Sequence, residues 1–133
     1  MTALAVALMT MLGAGSALTS TLGGTAIYNG VAPQGASLPY VVVSQQSGRE
    51  DDVTPRRTLT FHYLVKGVAS SLLAAGSIAD QVDTLLHDNA LSGISGLTNY
   101  WLHRETTVRY IEPTEPGEYI GHAGAVYTVK LSE

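Results

Sequence analysis

The sequence has no cysteine. Disulfide frameworks, thiolate metal sites and cysteine nucleophiles are thereby excluded, and the fold must hold by packing and hydrogen bonds. Charge is absent from the front third: residues 1–48 contain no Lys, Arg, Asp, Glu or His, and all 7 basic and 11 acidic side chains lie between Arg49 and Glu133. Charged residues make up 14% of the chain against the usual ~25%, so part of the surface is expected to be covered by a partner. Positive charge is scarce, and a net charge of −4 argues against a general nucleic-acid-binding surface. There is also no run of ~20 apolar residues, the length a membrane-spanning helix requires. The nearest approach is Ala3–Leu12, ALAVALMTML, after which Gly13–Gly24 dilutes the run with Gly, Ser and Thr. No Lys or Arg precedes it, so the positive region of a secretory signal is missing. A helix within the fold is the expected reading.

What is present reads as one domain over residues 1–133, long enough to bury roughly two thirds of its unfolded surface. A first helix is expected over Thr2–Leu12, between an N-capping hydroxyl and Gly13. Leu4, Leu8, Met11 and Leu12 form its apolar stripe, and Ala3, Val6, Ala7 and Met9 leave the other side apolar too. A helix apolar all round is buried on both sides, which makes Leu4, Val6, Leu8 and Met11 candidates for a subunit interface. An Ala-rich helix with a weak polar face fits equally well.

Strands are expected at Thr25–Asn29 and Tyr40–Gln45, with the turn-rich loop Gly30–Pro39 between them. Arg57–Lys66 alternates, placing Leu59, Phe61, Tyr63 and Val65 on one face, as in a half-buried antiparallel strand. Before it, Gln46–Pro55 is too polar for core and is expected to be a hairpin loop or arm, protruding at about 46–56. Its mixed charges, Arg49, Glu50, Asp51, Asp52, Arg56 and Arg57, suit registration between protein surfaces. A second helix follows at Ser70–His87, with Leu72, Leu73, Ala75, Ala79, Val82, Leu85 and Leu86 on its stripe and Asp80 and Asp83 off it. Asn99–Ile111 is a long strand, 113–117 a proline turn, and Gly121–Leu131 a last strand with Ala123, Ala125, Tyr127, Val129 and Leu131 inward. The expected class is α+β: a small, mostly antiparallel sheet with two helices packed on one face.

No catalytic pattern emerges. The four histidines, His62, His87, His103 and His122, show no metal-ligand spacing. Ser16 and Ser95 lack the G-x-S-x-G setting of a nucleophilic serine, and no phosphate-binding glycine motif follows a strand. Glu112, Glu115 and Glu118 lie along the proline turn, a solvated stretch suited to partner contact through Glu115 and Glu118. No cofactor is expected.

Several segments carry a family resemblance. Leu22-Gly23-Gly24, then Ile27-Tyr28-Asn29-Gly30-Val31-Ala32-Pro33-Gln34-Gly35-Ala36, then Leu38-Pro39-Tyr40-Val41-Val42, with Ile78-Ala79-Asp80 and His122 further on, resemble the tail terminator proteins of long-tailed phages, also called tail completion or tail-to-head joining proteins. The resemblance runs in order over nearly the whole chain; the Ala-Pro-Gln-Gly and Pro-Tyr-Val pieces are its most specific parts. It implies a non-enzymatic virion protein, assembled in the host cytoplasm into a hexameric ring at the head-proximal end of the tail tube. The implied partners are further copies of itself, the tail tube protein, the head connector or head-closure protein and the tape measure protein. No membrane is involved, and DNA only passes through the ring. A head-closure or connector adaptor, and more remotely a small ligand-binding domain, are the competing expectations. Family members often have polar residues in the leading helix; in this chain its only polar side chains are the hydroxyls of Thr2 and Thr10.

Overall fold

The computed structural model describes residues 2–53, 56–92, 94 and 96–133, with backbone only at 2, 50–53, 56 and 115. Three helices and five strands follow in order: α1 (Thr2–Gly13), α2 (Ser16–Leu22), β1 (Ile27–Asn29), β2 (Tyr40–Val53), β3 (Arg56–Ala69), α3 (Leu72–Leu86), β4 (Thr98–Glu115) and β5 (Glu118–Ser132). The strands form one sheet ordered β1-β2-β3-β5-β4. Only β1 runs parallel to its neighbour. The class is α+β, as expected, with a third helix in place of two.

That third helix, α2, lies where glycine and hydroxyl residues suggested a break. Gly15 caps its start, and Gly23 ends it at φ 75°, a left-handed turn that glycine adopts without Cβ strain. Leu18 and Leu22, four apart, fall on one face and are both buried. Among the described residues no single helix is long and apolar enough to cross a membrane; α1 and α2 reach that length only across an 84° bend.

The core lies between the helices and one face of the sheet. Leu4, Leu8 and Leu12 of α1 have no exposed surface and meet Val41 and Val43 of β2 in a single apolar cluster. From β3, the alternation places Leu59, Phe61, Tyr63 and Val65 in this core, and β5 adds Ala123, Ala125, Tyr127, Val129 and Leu131. The α3 helix starts at Ser71, whose hydroxyl accepts from the Ala74 N–H at 3.1 Å. It buries Ala75, Ile78, Val82 and Leu86. Leu73, expected on that stripe, points outward at 82% exposure.

Two expectations change at the strand level. Most of the expected loop after Gln45 is strand: β2 runs on to Val53 opposite Arg56. A bulge after Gln45 offsets the register, and Gly48 lets the Phe61 ring cross, since a Cβ there would sit 2.6 Å from it. Thr54 and Pro55, the remainder of that loop, lie outside the described residues.

The second change concerns β4. Strict alternation puts Leu102 and Tyr110 on one face. Register shifts between Asn99 and Trp101 and between Arg104 and Thr106 reverse the phase along the strand. Leu102 is therefore buried under α3, while Tyr110 lies opposite His122 on the open face. Asn99 holds the first shift: its Oδ1 accepts from the Leu91 N–H, and its Nδ2 donates to the Trp101 and Lys130 carbonyls.

Candidate functional site

Among the described residues, the side chains proposed for partner contact do not gather at one place. In α1, Leu4 and Leu8 are wholly buried in the chain's own core. Val6 is 56% exposed and, with Ala3, Ala7, Thr10 and the partly buried Met11, lines an apolar groove closed on its far side by Ala90, Leu91 and Ser92. One stripe of α1 thus faces inward and the other outward. The helical period separates them, because residues 4, 8 and 12 share one side and residues 3, 6 and 10 the other.

The charged residues divide likewise. Arg57 is tied to Glu133, with its backbone N–H 2.9 Å and its Nε 3.3 Å from Oε1. These hydrogen bonds hold the Glu133 carboxyl below its ordinary range. Arg49 lines a groove on the open face with Ser47, Thr60, His62 and Lys130. Glu118 is exposed at the β4–β5 turn. The side chains of Glu50, Asp51, Asp52, Arg56 and Glu115 lie outside the described residues.

The open face carries features that alternation alone did not single out. Trp101 stacks on His103 with centroids 4.0 Å apart, and Lys130 Nζ sits 5.2 Å from the Trp101 ring. Beside them Thr128 donates to Glu105, and its Oγ1 lies 3.2 Å from His62 Nδ1. The Thr128 hydroxyl, with a smaller contribution from His62, holds the Glu105 carboxyl below its ordinary range. Further along, His122 stacks on Tyr110 and reaches Glu112 at 2.9 Å, and Lys66 donates to the Tyr110 hydroxyl at 2.7 Å. The signal for this face was in the sequence, as a strand with aromatic residues on both sides.

Among the described residues, the geometry does not assemble a reaction centre. His62 Nδ1 lies 3.2 Å from both Thr128 Oγ1 and Glu105 Oε2, so one ring nitrogen faces both groups, whereas a triad histidine meets acid and nucleophile through different nitrogens. His103–Asp88 and His122–Glu112 form separate pairs, and no three such groups converge as metal ligands among the described residues. Asp83, expected to be solvated, instead accepts from the buried Tyr127 hydroxyl at 3.0 Å and lies 3.5 Å from Arg104. This is a structural network under α3.

The described residues thus present an apolar groove beside α1 and a polar, aromatic groove on the open face. The family described as Tail completion protein gp17 matches residues 6–114. The chain belongs to the tail completion protein family. This tail completion protein is accordingly a structural component of the virion, located in the tail or neck and associated with other tail and head components. It is similar to a solved chain described as "Virion of native gene transfer agent (GTA) particle", with a TM-score of 0.77 and 18% identity, over 98% of this chain and 96% of that one. At that identity the likeness speaks for the fold, which the two share almost end to end. No curated protein matches the chain.

Proposed function

We propose that this tail completion protein forms a closed ring, of six copies, at the head-proximal end of the tail tube. The ring ends tube growth and presents the seat on which the head connector docks. Membership of the tail completion family carries the reading. The copy number follows from the resemblance to tail terminators. The exposed side chain of Val6 in α1 supports contact between copies: it is apolar, lies in the charge-free third of the chain and stands outside the chain's own core. A ring built from one chain needs a heterologous contact, one surface of each copy meeting a different surface of the next, with a rotation that closes.

Electron microscopy of particles from a phage lacking the gene tests the function. Overlong tails without heads are the expected product. Headless tails of normal length would overturn the terminator role and point to a connector adaptor.

A further inference from the structure

Two unlike surfaces lie at opposite ends of the sheet. At one end is the aromatic and basic groove of the open face, lined by Trp101, His103, His62 and Glu105 together with Arg49 and Lys130. Trp101 remains 43% exposed there. At the other end, the β4–β5 hairpin runs past the rest of the sheet: β3 stops pairing with β5 at Gly121, while β4 pairs with β5 as far as Glu115 and Glu118. Residues 112–119 of this tip, EPTEPGEY, carry three glutamates and no Lys, Arg or His. Tyr119 is 60% exposed on it.

The two surfaces complement each other but cannot meet within one chain. Trp101 and Glu115 are separated along β4 by 14 residues of strand, which at ~3.3 Å per residue is roughly 40 Å or more. Tryptophan, tyrosine and arginine are the residues most enriched in interface centres, and charges such as those of Lys130 and Glu118 belong to the rim that fixes register. An acidic, tyrosine-bearing tip and a groove with tryptophan and cations have matching chemistry. Their positions at opposite ends of one sheet allow a head-to-tail contact, which closes into a ring when its rotation does.

We propose that the β4–β5 tip of one copy, with Glu118 and Tyr119, docks into the Trp101–Lys130 groove of the next copy. The inference rests on the proposed ring and specifies which surfaces close it. The contact adds a charged, aromatic seam to the apolar one at α1.

The absence of native cysteine allows a direct test. Tails are isolated from cells supplying both Glu118→Cys and Lys130→Cys chains and treated with a short thiol-to-thiol cross-linker. The expected result is a cross-linked dimer that requires both variants. Tails bearing either variant alone should yield none, and a dimer from Glu118→Cys alone would overturn the head-to-tail arrangement. Absence of the mixed dimer, or attachment of the Lys130→Cys chain to a different virion protein, would also overturn the proposal. The ring itself would still stand if those tails kept normal length and heads. As a second variant, Tyr119→Ala, at an exposed tip, should leave the unfolding midpoint unchanged and weaken association between copies roughly tenfold, the scale of one well-packed interface aromatic. Unchanged association would count against the tip.

Discussion

Gly121 and Gly13 differ in what surrounds them, and the difference sets opposite outcomes for the same substitution. A Cβ on Gly121 would lie 2.6 Å from the Ser71 and Leu72 backbone, where α3 begins over β5. Nothing lies within 4 Å of the corresponding position on Gly13. Gly121→Ala should therefore push α3 off the sheet and lower the unfolding free energy by about 1–3 kcal/mol. Gly13→Ala, at the end of α1, should be neutral or raise it by about 0.5–1 kcal/mol. Urea denaturation of the two variants beside the parent chain measures both.

Tyr127 makes a second prediction at this scale. Burial, reinforced by the neighbouring Asp83 carboxylate, pushes its hydroxyl pKa far above the ordinary value. A raised folded-state pKa means that the native chain keeps a proton the unfolded chain releases. The stabilisation is fully present below the unfolded tyrosine pKa, about 10, and is lost as pH rises beyond it. Unfolding free energy should fall with pH above about 10, and Tyr127→Phe should flatten that fall. An unchanged alkaline slope in the variant would show that Tyr127 is not the group responsible. Tyr63 is also raised by burial and contributes in the same direction.

At the scale of elements, α1 separates two roles that its composition merges. All of its residues are uncharged, so the sequence nominated Leu4, Val6, Leu8 and Met11 together. Leu8 is wholly buried, and Leu8→Ala should cost about 2–5 kcal/mol of stability. Val6 faces outward, so Val6→Asp should leave the unfolding midpoint nearly unchanged and remove association between copies. Calorimetry combined with light scattering distinguishes the two. If Val6→Asp kept normal assembly, the outer side of α1 would not be a subunit contact. The β4 strand teaches a complementary point. Its bulges are invisible to a period-two reading, because one extra residue transfers every later side chain to the opposite face.

For the whole molecule, the uneven placement of charge acquires a spatial meaning. Within the uncharged front third, α1 packs on β1 and the start of β2 on one face of the sheet, beside α2, while α3 covers β3 and β5. Lys66, Lys130, Glu105 and Glu112 lie on the open face, where they form a polar and aromatic surface with His62, Trp101 and Tyr110. A ring component needs surfaces that differ, since identical patches meeting each other would give closed dimers instead. The assembled protein should accordingly have a mass near six times 14.0 kDa when light scattering is measured on the ring released from tails.

Local pattern alone determined much of this protein. The apolar stripe of α1, the alternation of β3 and β5, the serine start of α3 and the charge-free front were legible because helix and strand periods and capping depend on near neighbours. The family resemblance was legible because its motif residues are contiguous. The tertiary structure decided what depends on distant partners. Phe61 across Gly48 turned a polar stretch into strand, and Asn99 held a bulge by bonding to Leu91 and Lys130. Burial of Leu18 and Leu22 against α1 and α3 made a helix of Ser16–Leu22 despite its flanking glycines. Packing likewise divided the nominated α1 residues between core and surface and placed Trp101, His103 and Lys130 in one groove. Such outcomes are set by contacts between residues far apart in the chain, and no local period encodes them.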